Sequence, residues 1–263
     1  MPVSDKKVVL ITGGNSGIGF QACLNIAKKD NYHLILSGRN AQRVHEAAEH
    51  DIKTISTLVC NGAITSNTNG FTTDGYEAIF GVNHLGHFYL VKQLHGVVER
   101  VVVVSSETHD PEENTPMPNP NVYDFEQLAY GYELYDGGAA YTTSKLCNLL
   151  MMYEFMRRHP NGPQWLAFTP GYTPDTPANH IHDDISVIIA KCKAAGITIN
   201  TSEAAGAFLA RLAVEDMTEN NWNQGDYIRV NAVYKTSTQA QDAALASALW
   251  EKSEELVKRA GTN

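Results

Sequence analysis

The chain has 263 residues, of which 43% are hydrophobic and 19% charged, and a formal net charge of −9. That length supports one large domain with a substantial core. The acidic balance argues against a nucleic-acid backbone or an anionic membrane as the main partner. Four widely spaced cysteines (Cys23, Cys60, Cys147, Cys192) include no Cys-x-x-Cys pair. They are expected to be reduced, mostly buried thiols rather than a disulfide framework or a zinc site. No apolar run approaches a membrane span, and a strand pattern begins by Lys6, so neither a span nor a signal peptide is expected. A cytoplasmic setting and a small-molecule substrate follow as expectations.

In chain order, residues 6–12 form a short apolar run of the size of a buried parallel strand. Gly13-Gly14-Asn15-Ser16-Gly17-Ile18-Gly19 follows, then a helical pattern from Phe20 to Ala27. Glycines between a strand and a helix allow a tight turn and close approach to a pyrophosphate, while the helix N-terminus offers free N–H groups. Tyr32 to Ser37 reads as a second strand ending in Gly38-Arg39-Asn40. A carboxylate at that point would bind an adenosine ribose, whereas an arginine pairs with a 2′-phosphate. Arg39, with Arg43 a helical turn on and no acid beside it, favours NADP over NAD.

Residues 41–53 look helical, and Leu58 to Ile64 reads as a buried strand running into a small-residue turn. Thr72 to Leu94 reads as a long helical region. Within it Asn83 is a polar residue on an apolar helix, suited either to a core hydrogen bond or to a site. His84 and His87 stand at i and i+3. Packing is the favoured reading for them, since no third metal ligand is apparent from spacing, and no metal is expected.

Arg100 to Ser106 is a β-branched strand ending in two hydroxyls. Residues 107–138 are irregular, with prolines 111, 116, 118 and 120, one short helix at 124–130, and the expected role of an insertion along one wall of a site. A helix is expected from Ala139. On it Tyr141 and Lys145 stand at i and i+4 and share a face. A nearby cation would lower the tyrosine's pKa and fit it for proton transfer. Gln164 to Thr169 is a further strand, closing in Pro170-Gly171. Residues 172–202 are expected to form a substrate-side lid, in which His180 and His182 to Asp184 read as a solvated loop. A helix over 203–214, a last strand over 226–230 and a C-terminal helix over 242–259 complete the pattern. Alternating strands and helices without a linker imply a single α/β domain over 1–263, doubly wound around a mostly parallel sheet.

Taken together, these motifs resemble the short-chain dehydrogenase/reductase family. The matching pieces are Thr12 to Gly19, Cys60-Asn61-Gly62-Ala63, Asn83, Val104-Ser105-Ser106, Tyr141-x-x-x-Lys145 and Pro170-Gly171, in family order. Asn83 to Phe88, the insertion before Tyr141 and Tyr141 to Asn148 are most similar to its retinol-dehydrogenase-like and protochlorophyllide-reductase-like branch. The resemblance implies a Rossmann fold and an NADP-dependent exchange of hydride between nicotinamide and a carbonyl or alcohol of a lipophilic molecule. It implies Tyr141 as proton donor or acceptor, Lys145 as the cation beside it and on the nicotinamide ribose, and Ser106 (Ser105 if the register shifts by one) on the substrate oxygen. Asn83 would hold a relay water. Gly13, Asn15, Ser16, Gly17, Ile18 and Gly19 would bind pyrophosphate and Asn61 the adenosine side. Pro170, Gly171 and Thr176 would serve the carboxamide. The resemblance also implies a dimer or tetramer formed through helices flanking the site, a homodimer among them.

One departure stands out. Arg39 and Asn61 are only 22 positions apart, where the family fits a strand and a helix. The third strand and its helix are therefore expected to be shortened or missing, with Asp51 to Thr54 as a remnant. A non-redox protein of the same fold with impaired cofactor binding is the competing expectation.

Overall fold

A computed structural model of the chain describes residues 6–37, 54–122, 124–176 and 185–261. Its described strands form one sheet in the order β2 (Tyr32–Ser37), β1 (Lys7–Thr12), β3 (Thr57–Cys60), β4 (Arg100–Val104), β5 (Gln164–Thr169), β6 (Asp226–Arg229) and β7 (Ala232–Tyr234). All neighbours pair in parallel except β6 with β7. The sheet is thus the expected doubly wound one, with a hairpin added at one edge. Among the described residues β2 is the other edge.

Strand residues alternate between two apolar layers, because side chains on a strand point to opposite faces. Val9, Ile11, Val59, Val102, Val104, Leu166 and Phe168 face α1 (Gly17–Ala27) and α7 (Ser202–Val214). Val8, Leu58, Cys60, Val101, Val103, Trp165 and Ala167 lie in the opposite layer. That layer is covered by α3 (Gly86–Leu94), α5 (Gly137–Arg158) and α8 (Ala243–Ala260), through residues including Phe88, Leu149 and Trp250. With both faces covered, the strands can be continuous runs of Val, Ile and Leu.

The helix expected from Thr72 begins only at α2 (Ala78–Phe80). The Glu77 carboxylate fixes that start by accepting the N–H groups of Ile79 and Phe80. A π turn then runs from Gly81 to Leu85 before α3. The strand expected over 58–64 ends at Cys60, and that over 100–106 ends at Val104, which places both serines beyond the sheet. The strand over 226–230 is not the last, since β7 follows after a turn through Val230, whose φ is 58°. In the 107–138 segment, α4 (Phe125–Tyr130) buries Leu128 and Ala129 in the core. α6 (Ile185–Ala194) lies in the stretch after β5. The expected helix over 41–53, Arg39, Arg43 and the His180 to Asp184 cluster fall outside the described residues.

All four cysteines are free and buried. No described helix is long and apolar enough to cross a membrane.

Candidate active site

The order of the strands reverses at β1, between β2 on one side and β3 on the other. In doubly wound sheets ligands bind outside the carboxyl ends of the strands at such a point. Here that crevice is formed by Thr12-Gly13 at the end of β1 and Asn61-Gly62 after β3.

Gly13 takes a φ of +66°, open to glycine at little cost. A Cβ on Gly19 would stand 2.4 Å from the Gly13 carbonyl oxygen and 2.5 Å from Asn61 Nδ2, so only glycine fits. Ser16 is the N-cap of α1 but makes no side-chain capping bond, and no acidic side chain lies in the first turn. The N–H groups at this end have positive potential and no carboxylate competing for them. Together with the glycine cradle they fit a pyrophosphate. Asn15 and Ser16 are exposed and Gly17 and Ile18 partly so.

Asn61 does not point away toward an adenosine. Its side-chain N–H donates to the Thr12 carbonyl at 2.9 Å and weakly to that of Gly13 at 3.4 Å. The Thr12 hydroxyl oxygen accepts the backbone N–H groups of Asn61 (2.9 Å) and Gly62 (2.8 Å). Asn61 thus builds the crevice wall by tying the two turns together.

Asp136 starts α5 by accepting the N–H groups of Gly138 and Ala139, and the helix carries Tyr141 and Lys145 to the end of β4. Tyr141 is partly buried and Lys145 is 2% exposed. The Lys145 ammonium lies 5.4 Å from the centroid of the Tyr141 ring and donates to the Val104 carbonyl at 3.1 Å. An ammonium has three donors, so such a group retains capacity for ribose hydroxyls. Burial lowers its pKa to about 8. The Tyr141 phenol is raised to about 12, by burial and then by the Glu107 charge, with the Ser106 hydroxyl acting in the opposite direction. This corrects the expectation that the lysine would hold the phenol's pKa down. In this arrangement the ammonium is directed to a backbone carbonyl and loses much of its own proton affinity to burial.

The two serines take separate roles. Ser105 is 2% exposed and donates to the Lys145 carbonyl at 2.8 Å, fixing α5 against β4. Ser106 is partly exposed, accepts from Thr108, and is the serine that influences the Tyr141 phenol. Asn83 lies in the π turn and is fully buried. Its Oδ1 accepts the Ile64 N–H (2.8 Å), and its Nδ2 donates to the Ile64 carbonyl (3.0 Å) and to Ser144 Oγ (3.0 Å). Its side chain is therefore committed to the turn after β3 and to α5. π turns concentrate at functional sites. Gly81, which opens this one, and Gly86, which follows it, are the local hint of it in the sequence.

Gly171 has a φ of +77°, and a Cβ there would stand 2.6 Å from the Thr198 carbonyl oxygen. The Pro170 carbonyl accepts from the Asn200 side chain at 2.9 Å. Thr176 is buried, and its hydroxyl donates to the Thr173 carbonyl at 3.0 Å. Lys145 and Ser106 thus lie beside Tyr141 at the end of β4, Asn83 joins the turn after β3 to the same helix through Ser144, and Pro170 and Gly171 follow the neighbouring β5.

Glu107 escaped the sequence reading. It is 4% exposed and accepts from the Thr169 hydroxyl at 2.7 Å. It also faces Arg229 at 3.4 Å, and Arg229 bonds Glu113 as well. His84 and His87 hold no metal cluster: among the described residues no group of three or more His, Cys, Asp or Glu is arranged to bind one. His84 bonds Ser253 of α8 at 3.0 Å. His87 bonds the Asn83 carbonyl and the Thr12 hydroxyl.

No family model matches the chain. It is 31% identical over 297 residues to a WW domain-containing oxidoreductase of Gallus gallus, covering 96% of this chain and 68% of that one. The Danio rerio protein of the same name is 32% identical, with 97% and 69% covered. Protochlorophyllide reductase A, chloroplastic, of Hordeum vulgare is 29% identical, with 95% and 80% covered. Among solved structures, an uncharacterized protein from Mycobacterium Paratuberculosis superposes with a TM-score of 0.71 at 25% identity, covering 98% of this chain and 96% of that one. A 3-ketoacyl-(acyl-carrier-protein) reductase from Brucella melitensis, complexed with NADH, shares the fold at a TM-score of 0.59 and 15% identity, with 86% and 96% covered. Matched along nearly its whole length by oxidoreductases at 31% and 32% identity, the chain belongs to the short-chain dehydrogenase/reductase family of oxidoreductases.

Proposed function

We propose that the protein is an NADP-dependent reductase or dehydrogenase acting on a carbonyl or alcohol of a lipophilic small molecule. The observation that carries this reading is the grouping of Lys145 and Ser106 beside Tyr141 at the end of β4, in a sheet whose first strand leads into a glycine turn and an uncapped helix N-terminus. One relative is named a protochlorophyllide reductase, which is in keeping with a large apolar substrate. The preference for NADP rests on Arg39, which stands after β2 where an acid would favour NAD. Reduced buried thiols are in keeping with a cytoplasmic setting.

The nicotinamide cofactor would supply the hydride and nothing else. Residues 13–19 would hold its pyrophosphate through backbone N–H groups, and the Lys145 ammonium would donate to its ribose. Ser106 would donate to the substrate oxygen and orient it toward Tyr141. In the reductive direction the Tyr141 hydroxyl would give its proton to that oxygen as negative charge develops there. A phenol held near pKa 12 is protonated at neutral pH and ready to act as an acid. Ribose hydroxyls would draw the Lys145 ammonium away from Val104 and toward the phenol, easing the next proton's return. The insertion over 107–138 and the lid over 172–202 would form the walls around an apolar substrate.

Turnover of a panel of lipophilic aldehydes and ketones, followed by loss of the reduced nicotinamide's near-ultraviolet absorbance, tests this. Wild type should turn over at least one substrate with NADPH, and Tyr141→Phe should lower kcat by about 10²- to 10⁴-fold, the usual contribution of a general acid. A Phe variant as active as wild type would remove Tyr141 from the chemistry.

A further inference from the structure

His87 is a buried polar residue that the chemistry described above does not use. It is 5% exposed, on the first turn of α3. Its Nδ1 lies 2.9 Å from the Asn83 carbonyl oxygen and its Nε2 lies 2.8 Å from the Thr12 hydroxyl. A carbonyl can only accept, so Nδ1 carries the proton. Burial, with the nearby Lys145 charge adding to it, holds the ring neutral with a pKa of about 4, so Nε2 is an acceptor. The Thr12 hydroxyl then gives its one proton to Nε2 in preference to the Val59 carbonyl, which lies farther off at 3.3 Å. Its oxygen meanwhile accepts the N–H groups of Asn61 and Gly62. Every hydrogen-bonding direction around the ring is assigned.

The chain of bonds runs from the crevice turns after β1 and β3, through Thr12 and the imidazole, to the main chain of the π turn. At its far end stands Asn83, whose amide holds Ser144. Ser144 in turn donates to the Tyr141 carbonyl at 2.7 Å. Packing alone does not call for this arrangement. An apolar side chain would fill the same place without burying two polar ring atoms, which is costly unless both are satisfied.

We infer that His87 is a positioning residue that couples the cofactor turn to the π turn, so that an occupied crevice sets the placement of Asn83 and, through Ser144, of the Tyr141 backbone. The inference rests on the cofactor reading given above. It assigns to His87 neither contact with substrate nor a share in proton transfer. Its function is to keep the two halves of the site in register.

Amide hydrogen exchange tests the coupling apart from activity. In wild type, saturating NADPH should slow exchange both at residues 12–19 and at residues 81–87. In His87→Phe it should slow only the first segment. NADPH affinity should change by less than about threefold in that variant while kcat falls by about tenfold, the split expected when ground-state binding is kept and transition-state placement is lost. His87→Gln, which retains a donor and an acceptor, should recover most of both effects. If the Phe variant does not fold, as judged by circular dichroism, His87→Leu removes both ring nitrogens with less bulk, leaves the crevice turns untouched and should give the same pattern. Slowing at 81–87 equal to wild type in the Phe or Leu variant overturns the coupling while leaving the cofactor reading intact. Absence of NADPH binding to wild type overturns both.

Discussion

The buried Lys145 ammonium is a liability to the fold. Its pKa is lowered to about 8 from an ordinary 10.5 by burial. The folded state therefore binds its proton less well than the unfolded state. The cost is full below pH 8 and is relieved as pH rises toward 10.5. Lys145→Met should accordingly raise stability at pH 7, by up to about 3 kcal/mol, with the gain shrinking above pH 8. Urea unfolding of both proteins at pH 7 and pH 10 measures this, and a Met variant less stable at pH 7 would contradict it. Tyr141, Lys145, Ser106 and Asn83 stand out as candidates in the sequence, because each sits in a short motif of fixed order. What the motifs could not carry was direction. The lysine points to Val104 rather than to the phenol. Glu107 raises the phenol's pKa from a position after β4 that no motif marks. Asn61 was expected on the adenosine side, yet its amide is spent on Thr12 and Gly13.

At the scale of elements, the site depends on helices that reach it from the far side of the sheet. α8 packs against α3 and α5 through Trp250, whose ring meets Phe88 at 5.0 Å and Phe155 at 4.5 Å between centroids. It also holds the π turn directly. Ser253 donates to the Leu249 carbonyl, so the His84 Nε2–H donates to Ser253. Ser253→Ala would leave that buried N–H unsatisfied and should cost about 1–3 kcal/mol, read from denaturant midpoints at unchanged slope. At the other end of the site, Asp136→Ala removes two capping bonds from α5 and should cost about 1 kcal/mol. Strands were read well where both ends carried punctuation: Tyr32–Ser37 and Gln164–Thr169 stand as the sequence marks them. The helical pattern from Thr72 overshoots the true start because nothing in it marks Glu77 as the cap. β7 was missed because Ala232 to Tyr234 is short, exposed and antiparallel. It lacks the apolar run that marks a buried strand.

For the molecule as a whole, acid should be more damaging than the acidic composition alone suggests. Burial lowers His84 to about 3 and His87 to about 4. Both bind protons in the unfolded state near pH 6.5 and resist them in the fold. Their contribution to stability is present above pH 6.5 and is lost as pH falls toward 4. His84→Gln should make the fall of unfolding free energy with pH shallower by up to about 1.4 kcal/mol per pH unit in that window. An unchanged slope would show that His84 takes up its proton in the fold. The wider architecture makes cofactor binding the decisive property. The proposed catalytic residues are all present, while β2 forms an edge of the described sheet and Arg39 has only 22 positions before Asn61 in which to build the adenosine side. Calorimetric titration of the wild-type protein with NADPH and, separately, with NADH tests the central claim most directly. Saturable one-to-one binding of NADPH, tighter than that of NADH, is the predicted result. No binding of either nucleotide at millimolar concentration would contradict it, and would leave a dehydrogenase fold that does not use its hydride donor.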